Sequence, residues 1–246
     1  MNESFIHDKQ KKAKSSSRRG PPRSQAKLEA IAAAARHVLS TNGPRLTQVA
    51  DVARAAEVAA GTIYVYVAEK EALIELALLH AARFDLPHAR KPIKFRAARL
   101  KKTAVRALDE RLNWPALKAA RQAPPGPDVL SVILSETYDM LSREHQLIAL
   151  LDRCSKENVI LERLYTKGRR REFLQDFESC IDRLAQAGYV RRDLDIAAAS
   201  RAVLEMMVWM AMRRPGDTDP PRCDDAAARH ASIELAMSGL ANAMNA

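Results

Sequence analysis

Apolar residues recur at Leu28, Ile31, Ala32, Ala35, Val38 and Leu39, the spacing that places side chains on one face of an α-helix. The same three-and-four rhythm returns at Leu73, Leu76, Ala77 and Leu79, and at Val129, Val132, Ile133, Tyr138 and Leu141. No strand-like alternation of useful length interrupts it, and the chain has only 8 glycines in 246 residues and 5% aromatics. A chain dominated by Ala, Leu, Arg and Glu with that periodicity is committed to an all-α fold. Its length leaves room for one or two domains with a substantial core.

The punctuation between helical runs sets the expected organisation. Asn42-Gly43-Pro44 stops a first helix of about 26–41, because Gly tolerates left-handed backbone and Pro cannot continue the ladder. Thr47 is placed to cap a second helix of about 47–55 with its hydroxyl. A third short segment runs from Val58 to Val67, and a fourth from Ala68 to about 82. Two short helices joined by a tight turn are the geometry in which the second enters a DNA major groove while the first crosses the backbone.

Charge is uneven. The chain carries +10 overall, but residues 1–45 hold ten basic and three acidic residues, 46–82 hold two and five, 83–121 hold twelve and three, and 122–246 hold sixteen and nineteen. The first surplus is a tail containing Lys9, Lys11, Lys12, Lys14, Arg18, Arg19 and Arg23 among serines, prolines and no acid, expected to be a disordered basic arm over 1–24. Such an arm neutralises phosphates or enters a minor groove, with a solubilising tail as the plainer alternative. The second surplus, 83–121, is either a phosphate-attracting belt or a solvated helix face, and the sequence leaves its role open.

The run from Leu46 to Ile74 closely resembles the N-terminal helix-turn-helix of the TetR family of bacterial regulators. Its most specific elements are Asp51-Val52-Ala53, Gly61-Thr62-Ile63-Tyr64 and Lys70-Glu71-Ala72-Leu73, within a domain expected over 25–82. The resemblance implies that Thr62, Tyr66 and Lys70 reach DNA phosphates, that Tyr64 and Val65 face bases, and that Thr47 approaches the backbone. Gln48 and Arg54 are the remaining polar candidates. Taken alone, Tyr64 reads more readily as a core aromatic, Thr62 as a neutral helix residue and Lys70 as a solvated charge; it is their joint spacing that points to DNA. Ala50 and Ala59-Ala60 stand where members often carry polar readers, so base recognition is expected to be poor in hydrogen bonds and to lean on methyl contacts and DNA shape. Glu57 occupies the turn position usually held by Gly, where positive φ costs a non-Gly residue roughly 1 kcal/mol.

Beyond residue 82 the resemblance is one of style, implying a helical effector-binding and dimerisation domain over 83–246. A helix over 95–112 is broken by Asn113-Trp114-Pro115, and Asp128 is expected to cap the next one. A long amphipathic stretch from 156 to 187, bent near Gly168, stops at Gly188. Asp195 caps a helix running to about Arg213, and Asp224 opens the last, to about Ala243. The last two helices are apolar over a wide arc, which suggests a partner or else ordinary internal core; the family resemblance implies that the partner is a second copy, a homodimer presenting two recognition helices to a palindromic operator. Tyr138, Phe173, Phe177, Met206, Trp209 and Met210 are candidates for an effector pocket, with plain packing as the alternative.

The expected function is thus a DNA-binding transcriptional regulator, a repressor released by a small-molecule effector. The rival is an architectural or partner-recruiting DNA-binding protein of the same fold without a switch. The sequence shows no phosphate-binding loop, no GxSxG, no HExxH and no clustering of its six histidines with Cys or carboxylates, so neither enzyme, metal nor cofactor is expected. The longest apolar stretch, Ala202 to Met212, is about half of the ~20 residues that cross a bilayer. With three cysteines, Cys154, Cys180 and Cys223, in no paired pattern and no secretory leader, a cytoplasmic location is expected.

Overall fold

The computed structural model describes residues 24–88, 91–122, 124–219 and 222–242; the basic arm from Lys9 to Arg23 and Arg90 lie outside them. Eleven α-helices follow among these residues: α1 Gln25–Leu46, α2 Val49–Ala55, α3 Ala60–Tyr66, α4 Ala72–Ala81, α5 Ala97–Arg111, α6 Pro115–Ala120, α7 Val129–Cys154, α8 Val159–Leu161, α9 Arg170–Gln186, α10 Ile196–Val208 and α11 Asp225–Leu240. Glu162–Arg169 and Trp209–Arg213 are π-helical, extending α8 into α9 and continuing α10. The described residues contain no strand, only isolated bridges from Val67 to Ile93 and from Val190 to Ala241.

The predicted face of α1 is the buried one: Leu28, Ile31, Ala32, Ala35, Val38 and Leu39 pack towards α4 and α7. One continuous apolar core then runs from Leu28 to Leu240, across the division expected at residue 82. Burial of that kind stabilises by roughly 25 cal/mol per Å² of apolar surface removed from water, so the N-terminal helices and the larger helical body hold each other in place.

The chain stops differ in instructive ways from expectation. Gly43 breaks α1 at φ 78°, as its sequence position predicts, yet Pro44 to Leu46 continue as a further turn beyond the kink. Thr47 does not cap α2. Its side chain is fully buried and its hydroxyl donates to the Gly43 carbonyl at 2.8 Å, closing the end of α1 instead. The start of α2 is held by Asp51, whose carboxylate accepts the Gln48 N–H at 3.0 Å. Asp128 does not cap α7 with its side chain, because its backbone is already helical (φ −83°, ψ −10°) and its carboxylate accepts no first-turn amide. Asp195 and Asp224 do cap, accepting from Ala198 and Ala227. The stretch predicted as one bent helix over 156–187 is instead α8, a π-helical segment and α9, with Asn158 accepting from the Ile160 and Leu161 amides at its start.

Glu57 adopts φ 54°, the left-handed conformation expected for the turn between α2 and α3. Replacing it with Gly is expected to raise stability by about 0.5–1 kcal/mol, strain relief exceeding the added freedom of the unfolded chain. Urea denaturation of the two proteins measures it, and a loss of stability would show that the Glu57 backbone carries no strain.

Candidate nucleic-acid interface and regulatory cavity

Val52 and Ile63, both fully buried, clamp α2 to α3, and the Val58 amide donates to the Ala53 carbonyl at 3.0 Å to tighten the turn. This leaves one side of α3 facing outward. Tyr64 is 52% exposed there, an unusual position for a large aromatic, with Thr62 and Val65 half-buried beside it. Gln48 and Arg54 are exposed at the two ends of α2, and Arg54 pairs loosely with Asp51 at 3.5 Å. The described surface of α3 therefore offers an aromatic ring, a methyl-rich side chain and two hydroxyls, those of Thr62 and Tyr64, a set poorer in polar base readers than in groups suited to thymine methyls.

Three of the candidates sit deeper than a surface contact. Thr47 is buried, as above. The Tyr66 ring is buried, its hydroxyl accepts the Ser24 N–H at 2.9 Å and its carbonyl accepts the Ile93 N–H at 2.8 Å. Lys70 is half-buried, with Nζ donating to the carbonyls of Pro44 and Thr47 at 3.0 Å each. That places a cation against the carbonyl end of α1, where the helix dipole favours it, and leaves one of its three N–H donors over.

The basic stretch 83–121 resolves into two groups. Arg83 reaches Glu144, Arg99 reaches Glu75, Arg106 reaches Glu110 and Arg121 reaches Asp176. Arg83, Arg99 and Arg121 thereby tie separate helical elements together, while the Arg106 pair lies within α5. Lys91, Lys94, Arg96, Lys101 and Lys102 are exposed.

Inside the larger helical body lies a cavity of about 110 Å³ lined by Trp114, Leu141, Ile148, Tyr165, Phe173 and Leu204 among others. Both π-helical segments reach it, through Tyr165 and Arg169 on one side and Met212 and Arg213 on the other. Such widened turns recur at functional sites because they shift the register of the side chains that follow. Trp114 is 2% exposed and its buried indole N–H has no partner among the described residues, a donor that a ligand acceptor would satisfy. The Tyr165 hydroxyl donates to Asp152 at 2.8 Å, and burial together with that carboxylate pushes its pKa well up, keeping the proton on the phenol. Asp152, Met212 and Arg213 also border a groove of about 400 Å³ against α1, lined by the cations Arg36, Arg153 and Lys156.

Of the six aromatic and methionine candidates, Phe173 lines this cavity. Tyr138 and Phe177 are buried in the surrounding core, Met206 and Met210 are half-buried outside its lining, and Trp209 is 37% exposed. The π-helical turn beginning at Trp209 brings Met212 and Arg213 to the cavity, a change of register that α-helical spacing does not anticipate. Trp114 and Tyr165 escape a reading of periodicity for a related reason: one sits at the start of a Pro-initiated helix and the other in a π-helical turn.

The thiols follow burial. Cys154 is buried and its pKa is pushed up to about 12, Cys180 is buried and raised as well, and Cys223 is half-buried. An aromatic disulfide reagent at mild alkaline pH is expected to titrate Cys223 first, and all three rapidly only after denaturation. Fast reaction at Cys154 in the native protein would contradict the packing described.

Residues 31–77 match the family profile described as bacterial regulatory proteins, tetR family. The match falls on the helix-turn-helix segment, from within α1 into α4. Likeness of fold to solved structures extends over 85–89% of the chain. The ketosteroid transcriptional regulator KstR2 of Mycobacterium tuberculosis superposes with a TM-score of 0.53 at 15% identity, covering 89% of this chain and 97% of its own. SCO3833, a TetR-family member from Streptomyces coelicolor A3, gives 0.53 at 22%, covering 85% and 90%. AibR, in complex with isovaleryl coenzyme A and operator DNA, gives 0.51 at 13%, covering 85% and 97%. At these identities the likeness is one of fold. No curated protein matches the sequence. Among the described residues no helix is long and apolar enough to cross a membrane, and no group of three or more His, Cys, Asp or Glu is placed to hold a metal ion.

Proposed function

We propose that this chain is a tetR-family regulator, a homodimeric repressor that binds a palindromic DNA operator through α3 and is released by a small molecule in the cavity beside Trp114. The observation that carries the DNA half is Tyr64, a large aromatic held in solvent by a helix whose other face is locked into the core. Exposed Trp209 and Leu235 on the last two helical segments supply an apolar surface for a second copy, consistent with two recognition helices one helical turn or a multiple apart.

For the ligand half, the unpaired Trp114 donor and the two π-helical turns favour a switch over a purely architectural protein. The cavity, at about 110 Å³, is small. A larger effector therefore has to open it, and only a ligand that prefers the opened state shifts the equilibrium. The adjoining groove holds Arg36, Lys156 and Arg213, beside an Arg153 already paired with Glu157, against the single lining carboxylate of Asp152, which favours an effector with an anionic group. The acyl-coenzyme A bound by AibR is a ligand of that chemistry.

Genomic footprinting of the purified protein, followed by a small-molecule screen for loss of binding at the sites found, tests the reading. Discrete palindromic footprints that vanish on addition of one compound class support it, whereas footprints indifferent to every compound favour the architectural rival. At such a site Tyr64→Ala is expected to weaken specific binding by about 1–3 kcal/mol, leave random DNA little affected and change folding stability by less than about 0.5 kcal/mol. Competition binding and a denaturation curve measure both; an equal loss on random DNA would move Tyr64 from base reading to phosphate contact.

A further inference from the structure

The segment 46–82 that would face DNA holds two cations, Arg54 and Lys70, against five acids. Lys70 uses two of its donors on Pro44 and Thr47, and Arg54 lies near Asp51. Glu75 among those acids is buried and paired with Arg99, which still leaves more acids than cations in the segment. Duplex DNA presents one negative charge per about 1.7 Å of axis, so a segment this poor in cations needs them from elsewhere. The tertiary structure brings them to one place. The chain after α4 folds back so that Ile93 pairs with the end of α3: its N–H donates to the Tyr66 carbonyl at 2.8 Å and its carbonyl accepts the Ala68 N–H at 2.9 Å. Phe95 N–H then donates to Glu69 at 2.5 Å, fixing the strap and engaging a carboxylate that would otherwise face the same region. Ile93 is buried, whereas Lys91 and Lys94 on either side of it are exposed and have no ion pair among the described residues. The same Tyr66 accepts the Ser24 N–H through its hydroxyl, so the residue that follows the basic N-terminal run in sequence is tied to the same helix end.

We propose that Lys91 and Lys94, carried on a strap anchored to the last residue of the recognition helix, form an additional DNA-backbone contact. The inference rests on reading α3 as the helix that meets DNA. The strap gives the charge a defined position: phosphates flanking the bases reached by Tyr64 meet two ammonium groups that supply affinity and register without reading sequence. It also separates two parts of one basic stretch, since Arg83, Arg99, Arg106 and Arg121 are neutralised by internal carboxylates and these lysines are not.

The test is the salt dependence of binding to a random-sequence duplex, which requires no knowledge of the operator. The full chain, the double variant Lys91→Gln/Lys94→Gln, and the charge-matched variant Lys101→Gln/Lys102→Gln on α5 are titrated from low to moderate salt. Because each lysine neutralises one phosphate, the slope of log K against log salt is expected to flatten by about 1.8 and affinity to fall about tenfold in the first variant, with a distinctly smaller change in the second. Equal changes in both variants, or none in the first, overturn the proposal. Should the unaltered chain bind no duplex at any salt, the reading of α3 fails and the strap proposal with it; binding with an unaltered slope in the strap variant removes the strap alone. Thermal melts of all three proteins separate a weakened interface from a damaged fold.

Discussion

Gly43→Ala is expected to destabilise the protein by about 2–4 kcal/mol and to loosen the N-terminal helices from the body that holds the cavity. Two effects combine. Gly43 has φ 78° and ψ 169°, a region essentially reserved for glycine, in which an L side chain costs about 1–3 kcal/mol. A Cβ built there would also lie 2.5 Å from Arg153 Cζ. Arg153 is flexible enough to move aside, but the movement disturbs its hydrogen bond to the Asn42 carbonyl and its 2.9 Å pair with Glu157, which in turn accepts the Arg45 N–H at 2.7 Å. Those hydrogen bonds hold the Glu157 carboxyl below the usual range, so this docking contact contributes above the ordinary carboxylate pKa and is lost as pH falls through the lowered value. A double-mutant cycle with Arg153→Ala apportions the loss. If removing Arg153 restores none of it, the cost is backbone strain alone; if Gly43→Ala costs under about 0.5 kcal/mol, the kink is not what seats α1 on α7.

Phe177→Ala should cost about 3–5 kcal/mol, the range for deleting a fully buried aromatic, whereas Phe173→Ala should cost less. Phe177 is 0% exposed within the core. Phe173 stands edge-on to Trp114 at 4.9 Å between ring centroids and has the cavity on one side, so truncating it forfeits less packing. Paired urea denaturation curves measure the difference. Equal costs would mean that the cavity wall is packed like the core, and would weaken the case for a ligand beside Trp114.

The pairing of these two phenylalanines shows where a sequence stops being informative. Both lie on α9 four residues apart, about one turn of a helix, and nothing in that spacing says which one meets a cavity. Some helix boundaries that depend on local chemistry were legible, although Thr47 and Asp128 do not cap. Gly43 had to break α1, Asp195 and Asp224 cap, and Glu57 had to take a left-handed conformation, because each is favoured by backbone sterics or by a short side chain beside unpaired amides. The π-helical turns were not legible, since they arise from packing between distant segments. The buried positions of Thr47, Tyr66 and Lys70 escaped for the same reason, as a hydroxyl or ammonium reads alike whether its partner is a phosphate or a carbonyl of α1.

The all-helical architecture and the helix-turn-helix were therefore determined by the sequence itself, because periodicity and turn chemistry act over a few residues, whereas the outward position of Tyr64 was implied only by the family resemblance. The tertiary structure alone decided which cations are free. Carboxylates from α4, α5, α7 and α9 neutralise four arginines of the 83–121 stretch. A backbone pairing at Ile93 then sets Lys91 and Lys94 beside the recognition helix. Charge counts along a chain add without regard to distance, whereas Coulomb attraction and desolvation depend on where each group comes to rest.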